Sequence, residues 1–135
     1  MPRTVLVTGG NRGIGRTIAE QFIAQGDRVA VTSRNGDAPE GALAVAADVT
    51  DSASLDAAYT TVENELGPVE IIVANAGITR DNLLMRMSDE EFEDVINTNL
   101  TGVYRTVRRG ITNLIRAKWG RIILISSVSG LYGVA

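Results

Sequence analysis

The sequence predicts an α/β domain built on an open, doubly wound parallel sheet, and three observations favour this fold class. Short β-branched runs alternate with longer segments of helical spacing, the predicted strands are continuously apolar, and a glycine-rich turn joins the first strand to the first helix. Continuously apolar strands are buried on both faces, which requires helices on both sides of the sheet. The 135 residues are enough for one such domain.

Five strands are predicted to alternate with three helices. The strands are residues 4–8, 28–33, 42–47, 70–74 and 121–126. The first helix, residues 14–25, ends at Gly26, and the second, residues 52–66, begins with a serine cap at Ser52 and ends at Gly67. Right-handed crossovers between these units give a sheet of the Rossmann type, as a single domain over residues 1–135.

The third predicted helix, residues 88–118, is the longest. Ser88 and Glu91 match a capping box at its start, and its apolar residues recur at steps of three and four until Gly120. Asn99 lies inside this helix among two threonines and a second asparagine, all mediocre helix formers. We therefore expect a locally disturbed helix around Asn99, with an exposed polar residue on a regular helix as the alternative.

Composition excludes several classes of function. Thirteen basic residues are scattered among sixteen acidic ones, the net charge is −3 and the pI is about 4.9, so neither nucleic acid nor an anionic membrane is a predicted partner. The absence of cysteine and histidine excludes disulfides, thiolate catalysis, imidazole metal sites and a serine–histidine–aspartate triad, and we predict no metal site. No signal sequence or membrane-length apolar stretch is present, which favours the cytoplasm.

A glycine-rich turn provides the first candidate site. It reads Thr8, Gly9, Gly10, Asn11, Arg12, Gly13, Ile14, Gly15 and lies between the first strand and the first helix. The first turn of a helix carries unpaired N–H groups and a positive dipole end, and glycines let a pyrophosphate approach them closely. This context favours dinucleotide binding over glycines that serve the turn alone.

Other unusual sequences follow the remaining strands. They are Arg34 after the second strand, Asp48 and Val49 after the third, Asn75, Ala76 and Gly77 after the fourth, and residues 126–129 after the fifth. In doubly wound sheets the ligand binds outside the carboxyl ends of the strands, where the strand order reverses. Because these sequences all follow strands, they predict one nucleotide site at the edge of the sheet formed by the carboxyl ends of the strands.

The end of the second strand indicates which coenzyme binds. NAD-binding domains carry an acidic residue there that accepts hydrogen bonds from the ribose hydroxyls. This chain has Ser33, Arg34 and Asn35 instead, with Arg12 in the glycine turn. Two guanidinium groups suit a 2′-phosphate, so NADP(H) is predicted. Solvated loop arginines are the alternative, and Asp37 is the one feature that would support NAD.

Four motifs follow one another along the chain. They are TGxxxGxG at residues 8–15, the triplet Asn75, Ala76, Gly77, Asn99 in the long helix, and Ser127 after the fifth strand. Together they resemble the short-chain dehydrogenase/reductase family. Within it, TGGNRGIG, NAGITRDNLLMRM, INTNLTG and GRIILISSVSG are most similar to the 3-oxoacyl-[acyl-carrier-protein] reductases of type II fatty-acid synthesis. The resemblance covers essentially the whole chain.

The resemblance implies roles for single residues. Asp48 would meet the adenine amino group and Val49 its ring, although Asp48 could instead be a turn cap. Asn99 would hold a water in a proton relay. Ser127 would donate a hydrogen bond to the substrate carbonyl, since a hydroxyl without histidine cannot serve as a triad nucleophile. A structural serine at a strand end is the alternative for Ser127.

The resemblance also implies a catalytic pair beyond the printed sequence. In the family a tyrosine, followed four residues later by a lysine, lies about a dozen residues past a serine placed as Ser127 is, whereas this sequence ends at Ala135. Tyr132 is too close to Ser127 to take that role. We expect the chain to be the amino-terminal half of a reductase, with a sheet truncated after the fifth strand, an uncovered sheet edge and negligible turnover.

The implied activity is NADPH-dependent reduction of 3-oxoacyl-acyl carrier protein to the 3-hydroxyacyl product. One implication is docking of an acidic carrier protein on Lys118, Arg121 and the arginines of the long helix. The alternatives for these basic residues are a solvated helix face and a homo-oligomer interface through that helix. Three alternatives stay open: reduction of acetoacetyl-CoA or another ketone, a non-catalytic NADP-binding module, and an interaction fragment.

Overall fold

The computed structural model describes residues 1–127 and 129–132. The strands are β1 Thr4–Thr8, β2 Arg28–Ser33, β3 Leu43–Ala46, β4 Ile71–Ala74 and β5 Arg121–Leu124. The helices are α1 Gly13–Ala24, α2 Ser52–Leu66, α3 Asp89–Ile96, α4 Gly102–Ala117 and the short α5 Ser129–Tyr132. A 3-10 turn, Leu84–Arg86, precedes α3. No helix in these described ranges combines the length and apolarity needed to cross a membrane.

The five strands form one parallel sheet in the order β3-β2-β1-β4-β5. The chain winds outwards from β1 to β3, then returns to place β4 on the other side of β1. The strand order therefore reverses between β1 and β4, which confirms the predicted doubly wound sheet. Three strands are slightly shorter than predicted. β3 is one residue shorter at each end, β4 begins one residue later, and β5 ends two residues earlier.

Both faces of the sheet carry an apolar core. On one face Leu6 and Ile72 pack with Tyr59 and Val62 of α2 and Leu114 of α4. On the other face, α1 packs on a second cluster that comprises Val5, Val7, Ala19, Val29, Val31, Ile71 and Val73. Neighbouring residues of β1 thus point to opposite cores, as expected for a strand buried on both sides.

The start of α2 differs from the prediction. Asp51, not Ser52, is the N-cap residue, and its side chain accepts a hydrogen bond from the N–H of Ala53 at 3.0 Å. Ser52 is the first residue of the helix. Aspartate is among the strongest N-cap residues, so the serine prediction was wrong by one position.

The long third helix is interrupted. A π-helical segment, Asn97–Thr101, separates α3 from α4, so the predicted disturbance around Asn99 is confirmed. Ser88 caps α3 by accepting from the N–H of Glu91 at 3.1 Å. The carboxylate of Glu91 accepts from the side chain of Asn82 at 3.3 Å, so only half of the predicted capping box forms among the described residues.

Apolar side chains are exposed at β5 and along the outer face of α4. Leu124 at the end of β5 is 56% exposed, and Tyr104 and Ile115 of α4 are each at least 60% exposed. Within the described residues β5 pairs with β4 alone. An edge strand and a helix face of this kind favour association, which stays a prediction.

Glu70 joins three strands at the amino-terminal end of the sheet. Its carboxylate accepts from the N–H of Thr4 at 2.9 Å and from the guanidinium of Arg3 at 3.0 Å, and Arg28 lies 4.0 Å away. Partial burial opposes ionisation, but the hydrogen bonds from Thr4 and Arg3 and the two positive charges outweigh it and lower the pKa of Glu70.

We predict that Glu70→Gln lowers the free energy of unfolding by about 1–2 kcal/mol at neutral pH. Because the folded-state pKa of Glu70 is lowered, its stabilisation is present above the ordinary value of 4.5 and is lost as pH falls through the folded-state pKa. Urea unfolding from pH 7 to pH 3 checks this, with the exposed Glu65→Gln as the matched control. A difference between wild type and Glu70→Gln that stays constant with pH would contradict the prediction.

Candidate functional site

The site lies at the carboxyl ends of the strands, where the strand order reverses. A pocket of about 680 Å³ opens there. Its lining residues are Gly9, Asn11, Arg12, Gly13, Thr32, Ser33, Arg34, Asn35, Ala47, Val49, Asn75, Ala76, Gly77, Ile78, Arg80 and Thr98. Loops after β1, β2, β3 and β4 all contribute, and this is the arrangement that the sequence predicts for a ligand of a doubly wound sheet.

The glycine turn forms the floor of the pocket. Gly9 and Gly13 have φ of +65° and +58°, which other residues rarely adopt. A β-carbon at Gly9 would lie 2.8 Å from Cα of Ala76, so the two loops pack backbone against backbone. Arg12, the N-cap residue of α1, makes no side-chain hydrogen bond to the first helical turn. The amides of that turn are therefore suited to an anion.

Two side chains connect the loops that flank the reversal point. The buried Thr8 hydroxyl accepts from the N–H groups of Asn75 and Ala76, at 3.0 and 3.2 Å. The side chain of Asn75 donates in return to the carbonyl of Gly9 at 3.0 Å. Asn75 thus supports the glycine turn with its side chain, and Asn75, Ala76 and Gly77 all border the pocket.

Positive charge surrounds this pocket. Arg12 and Arg34 are exposed residues of its lining, as predicted for a 2′-phosphate site. Arg80, which sequence reasoning did not select, lines it from the loop after β4. None of the three forms an ion pair within the described part of the chain.

The residue that would favour NAD is not part of the pocket lining. Asp37 accepts from the side chain of Asn35 at 2.9 Å, and its backbone carbonyl accepts from Ser33 at 3.0 Å. These contacts organise the loop after β2, from which Arg34 and Asn35 border the pocket. Guanidinium and amide groups rather than a carboxylate line this edge of the pocket, which suits an anionic group.

Of the two residues after β3, Val49 lines the pocket and Asp48 does not. Hydrogen bonds from the hydroxyl and the N–H of Thr50, at 2.7 and 2.9 Å, lower the pKa of Asp48. Its carboxylate therefore caps a local turn, which is the alternative that the sequence left open. Contact between Asp48 and an adenine stays a prediction.

Ile14 and Gly15, two residues of the glycine turn predicted to bind the cofactor, also lie outside the lining. Ile14 is 65% exposed on the outer side of α1. Gly15 is buried behind the turn, where a β-carbon would lie 2.5 Å from the carbonyl oxygen of Gly9 and collide with the side chain of Asn75. Gly15 therefore permits close packing of α1 on the turn and supports the site indirectly.

Neither of the predicted catalytic residues, Asn99 and Ser127, belongs to the lining of this pocket. The Asn99 side chain accepts from the N–H of Ile78 and donates to its carbonyl, both at 2.8 Å. This double hydrogen bond attaches the π-helical segment to the loop that supplies Ile78 and Arg80. Ser127 is exposed after β5, and its hydroxyl accepts from the N–H of Ser129 at 3.2 Å.

Sequence reasoning missed several residues that border the pocket. They are Thr32, Ser33, Asn35, Ala47, Ile78, Arg80 and Thr98. Ligands of doubly wound sheets bind at the carboxyl ends of the strands, so four of these residues could have been found from their position within two residues of a strand end: Thr32, Ser33, Asn35 and Ala47. The place of the other three, Ile78, Arg80 and Thr98, depends on how the loop after β4 folds against the π-helical segment. No local sequence pattern predicts that folding.

The fold and this pocket define a Rossmann-type domain with a glycine turn at the point where the strand order reverses. The family described as short chain dehydrogenase matches residues 3–135. The chain belongs to the short-chain dehydrogenase family.

Individual proteins resemble the chain over nearly its full length. The 3-oxoacyl-[acyl-carrier-protein] reductase MabA of Mycobacterium tuberculosis (strain ATCC 25618 / H37Rv) is 54% identical over 132 residues, which are 98% of this chain and 53% of that protein. The 3-oxoacyl-[acyl-carrier-protein] reductase FabG of Vibrio harveyi is 45% identical over 98% of this chain and 58% of its own length. The crystal structure of a short-chain dehydrogenase from Streptomyces avermitilis superposes with a TM-score of 0.89 at 31% identity, covering 96% of this chain and 51% of that one. The chain thus spans about half the length of the relatives it matches.

Proposed function

We propose that the whole protein is an NADPH-dependent reductase that converts 3-oxoacyl thioesters on acyl carrier protein to 3-hydroxyacyl thioesters in fatty-acid biosynthesis. The observation that carries this proposal is the 54% identity, over 98% of the chain, to a protein named as such a reductase. The pocket supports it with a glycine turn and two exposed arginines at the predicted edge of the sheet.

The residues present fit the coenzyme. The first-turn amides of α1 would face its pyrophosphate, and Arg12 and Arg34 would bind its 2′-phosphate. Val49 would contact the adenine ring. When bound, the coenzyme would supply the hydride, while the protein binds it, orients it and stabilises charge on the substrate.

Ser127 is proposed to donate a hydrogen bond to the substrate carbonyl oxygen, where negative charge develops during reduction. The side chain of Asn99 is already hydrogen-bonded to Ile78, so the proposed proton-relay water would contact the backbone carbonyl of Asn99. The catalytic pair implied by the resemblance is a tyrosine with a lysine four residues later. Neither Tyr59 nor Tyr104 can form this pair, because Glu63 and Arg108 occupy those positions.

Residues 1–135 alone are therefore expected to show negligible turnover, because a positioned general acid contributes about 10²–10⁴-fold. The activity test follows NADPH oxidation by the whole protein with acetoacetyl-acyl carrier protein and with acetoacetyl-CoA. Faster reduction of the carrier-bound substrate supports the proposal. Coenzyme binding without reduction of either thioester would contradict it and would favour a non-catalytic nucleotide-binding module.

The carrier protein is proposed to dock on the basic residues of α4 that point outwards. Arg108, Arg116 and Lys118 are exposed. Arg109 is instead bound to Asp56 and Glu63 of α2, which makes it unsuited to a partner. A homo-oligomer through this helix is proposed as the alternative use of the same face, because its apolar side chains need cover.

We predict that the double substitution Arg12→Ala, Arg34→Ala weakens NADPH binding about 100-fold and leaves NADH binding within about threefold of wild type. The 2′-phosphate is the only difference between the two coenzymes, so the loss is confined to the ligand that carries it. Isothermal titration with both coenzymes measures the effect, with Arg86→Ala as an exposed arginine outside the pocket lining. Unchanged NADPH affinity would contradict both the NADPH preference and the assignment of these two residues.

A further inference from the structure

We infer that Arg105 is a positioning residue that keeps the π-helical segment in the register which places Asn99 against Ile78. The geometry concerns this chain alone, whereas the consequence for catalysis rests on the proposed function. One guanidinium group thereby connects the loop after β3, the π-helical segment and, through Asn99, the loop after β4.

Arg105 reaches two backbone carbonyls with one nitrogen. Its Nη1 atom donates to the carbonyl of Val49 at 3.2 Å and to the carbonyl of Asn97 at 3.3 Å. Val49 lines the pocket, and Asn97 is the first residue of the π-helical segment. Arg105 is only partly exposed, so these hydrogen bonds from a charged donor are shielded from bulk water.

The π-helical segment needs such a contact. Its carbonyl at Asn97 accepts from the N–H of Gly102 across a wider turn than in an α-helix. Such turns are rare in helices and occur chiefly at functional sites. Arg105 adds a second donor to the same carbonyl and, because it also donates to Val49, holds the start of the π-helical segment against the loop after β3.

The register of this segment determines where Asn99 points. Successive helical residues are about 100° apart around the axis, so loss of the extra residue would turn Asn99 away from Ile78. Both hydrogen bonds of Asn99 go to the backbone of Ile78, a lining residue of the pocket. Changing the register would therefore release this wall of the pocket and move the backbone carbonyl of Asn99.

Close packing holds α4 where Arg105 can reach the loop after β3. A β-carbon at Gly102 would lie 2.8 Å from Cγ2 of Val49, so the first turn of α4 lies directly against that residue. Arg108, three positions after Arg105, is exposed and makes no hydrogen bond or ion pair among the described residues. The bridging role thus belongs to Arg105 and not to the arginines of α4 in general.

The test compares Arg105→Met, Arg105→Lys and the control Arg108→Met in the 135-residue chain by NMR without coenzyme. In Arg105→Met we expect the side-chain amide signals of Asn99 and the N–H signal of Ile78 to shift, with amide exchange at Ile78 at least about tenfold faster. Arg105→Lys keeps the charge and one donor, so it is expected to restore part of the wild-type pattern. Arg108→Met is expected to leave all three signals unchanged.

A second measurement is NADPH affinity, which is expected to fall about fivefold to tenfold in Arg105→Met, because Arg105 acts on the pocket only through Val49 and the π-helical segment. Wild-type signals for Asn99 and Ile78 in Arg105→Met would overturn the inference, and so would equal shifts in Arg108→Met. If the wild-type chain bound no NADPH, the proposed function would fail, while the coenzyme-free NMR comparison would still decide the role of Arg105.

Discussion

Replacing Gly15 by alanine is expected to weaken NADPH binding about 100-fold, a loss of about 2.7 kcal/mol. The added β-carbon would lie 2.5 Å from the carbonyl oxygen of Gly9 and would occupy the space of the Asn75 side-chain amide. Backbone cannot yield as a flexible side chain does, so the glycine turn must move away from α1. The amides in the first turn of α1 and the glycine turn would then no longer face the same anion.

Titration calorimetry with NADPH measures this loss, and circular dichroism checks that the variant is folded. Gln21→Ala is the matched control, because Gln21 is an exposed residue of the same helix. Its affinity should equal that of wild type. A Gly15→Ala variant that is folded and binds NADPH normally would show that close packing behind the turn is not required for the site.

The substitution Gly110→Ala is expected to lower the free energy of unfolding by about 3 kcal/mol, at the upper end of the usual cost of overpacking. Gly110 is buried where α4 crosses the sheet, and its β-carbon would lie 2.5 Å from Cδ1 of Ile72 and 2.7 Å from the hydroxyl oxygen of Tyr59. Neither neighbour can retreat easily, since both are fully buried. The Tyr59 hydroxyl also donates to the carbonyl of Thr106 at 2.7 Å, a contact that the alanine would disturb.

Denaturant unfolding of Gly110→Ala and of Thr112→Ala tests this packing. Thr112 is an exposed residue of α4, so its substitution should change the free energy of unfolding by less than about 0.5 kcal/mol. The double variant Gly110→Ala, Tyr59→Phe should recover part of the loss, because the hydroxyl is one source of the clash. Equal stability of Gly110→Ala and wild type would mean that α4 can shift outwards at little cost.

Most of the fold could be predicted because its signals are local. Runs such as Val5, Leu6 and Val7 identify a strand buried on both faces, and alternation of such strands with amphipathic segments leaves few topologies. Once the sheet is parallel, residues after each strand lie on one edge, so Arg12, Arg34 and Val49 could be placed together without coordinates. The disturbance at Asn99 was also predictable, because weak helix formers cluster there.

Other parts of the site depend on residues far apart in the chain. Thr8 and Asn75, which connect the two central loops, are 67 residues apart, and Arg105 and Val49 are 56 apart. The predicted N-cap of α2 was wrong by one residue. Ser52 and Asp51 are both good caps, and the backbone path of the preceding loop selects Asp51.

The sequence by itself thus determined the strands, the glycine turn and the edge of the sheet that carries the site, because hydrophobic periodicity and turn chemistry act over a few residues. Only the tertiary structure decided that Asp48 caps a turn, that Arg80 lines the pocket and that Arg105 connects the loop after β3 to the π-helical segment. Each of these depends on the direction of a single side chain within packed surroundings. That direction follows from contacts made after the chain has folded, which local patterns do not contain.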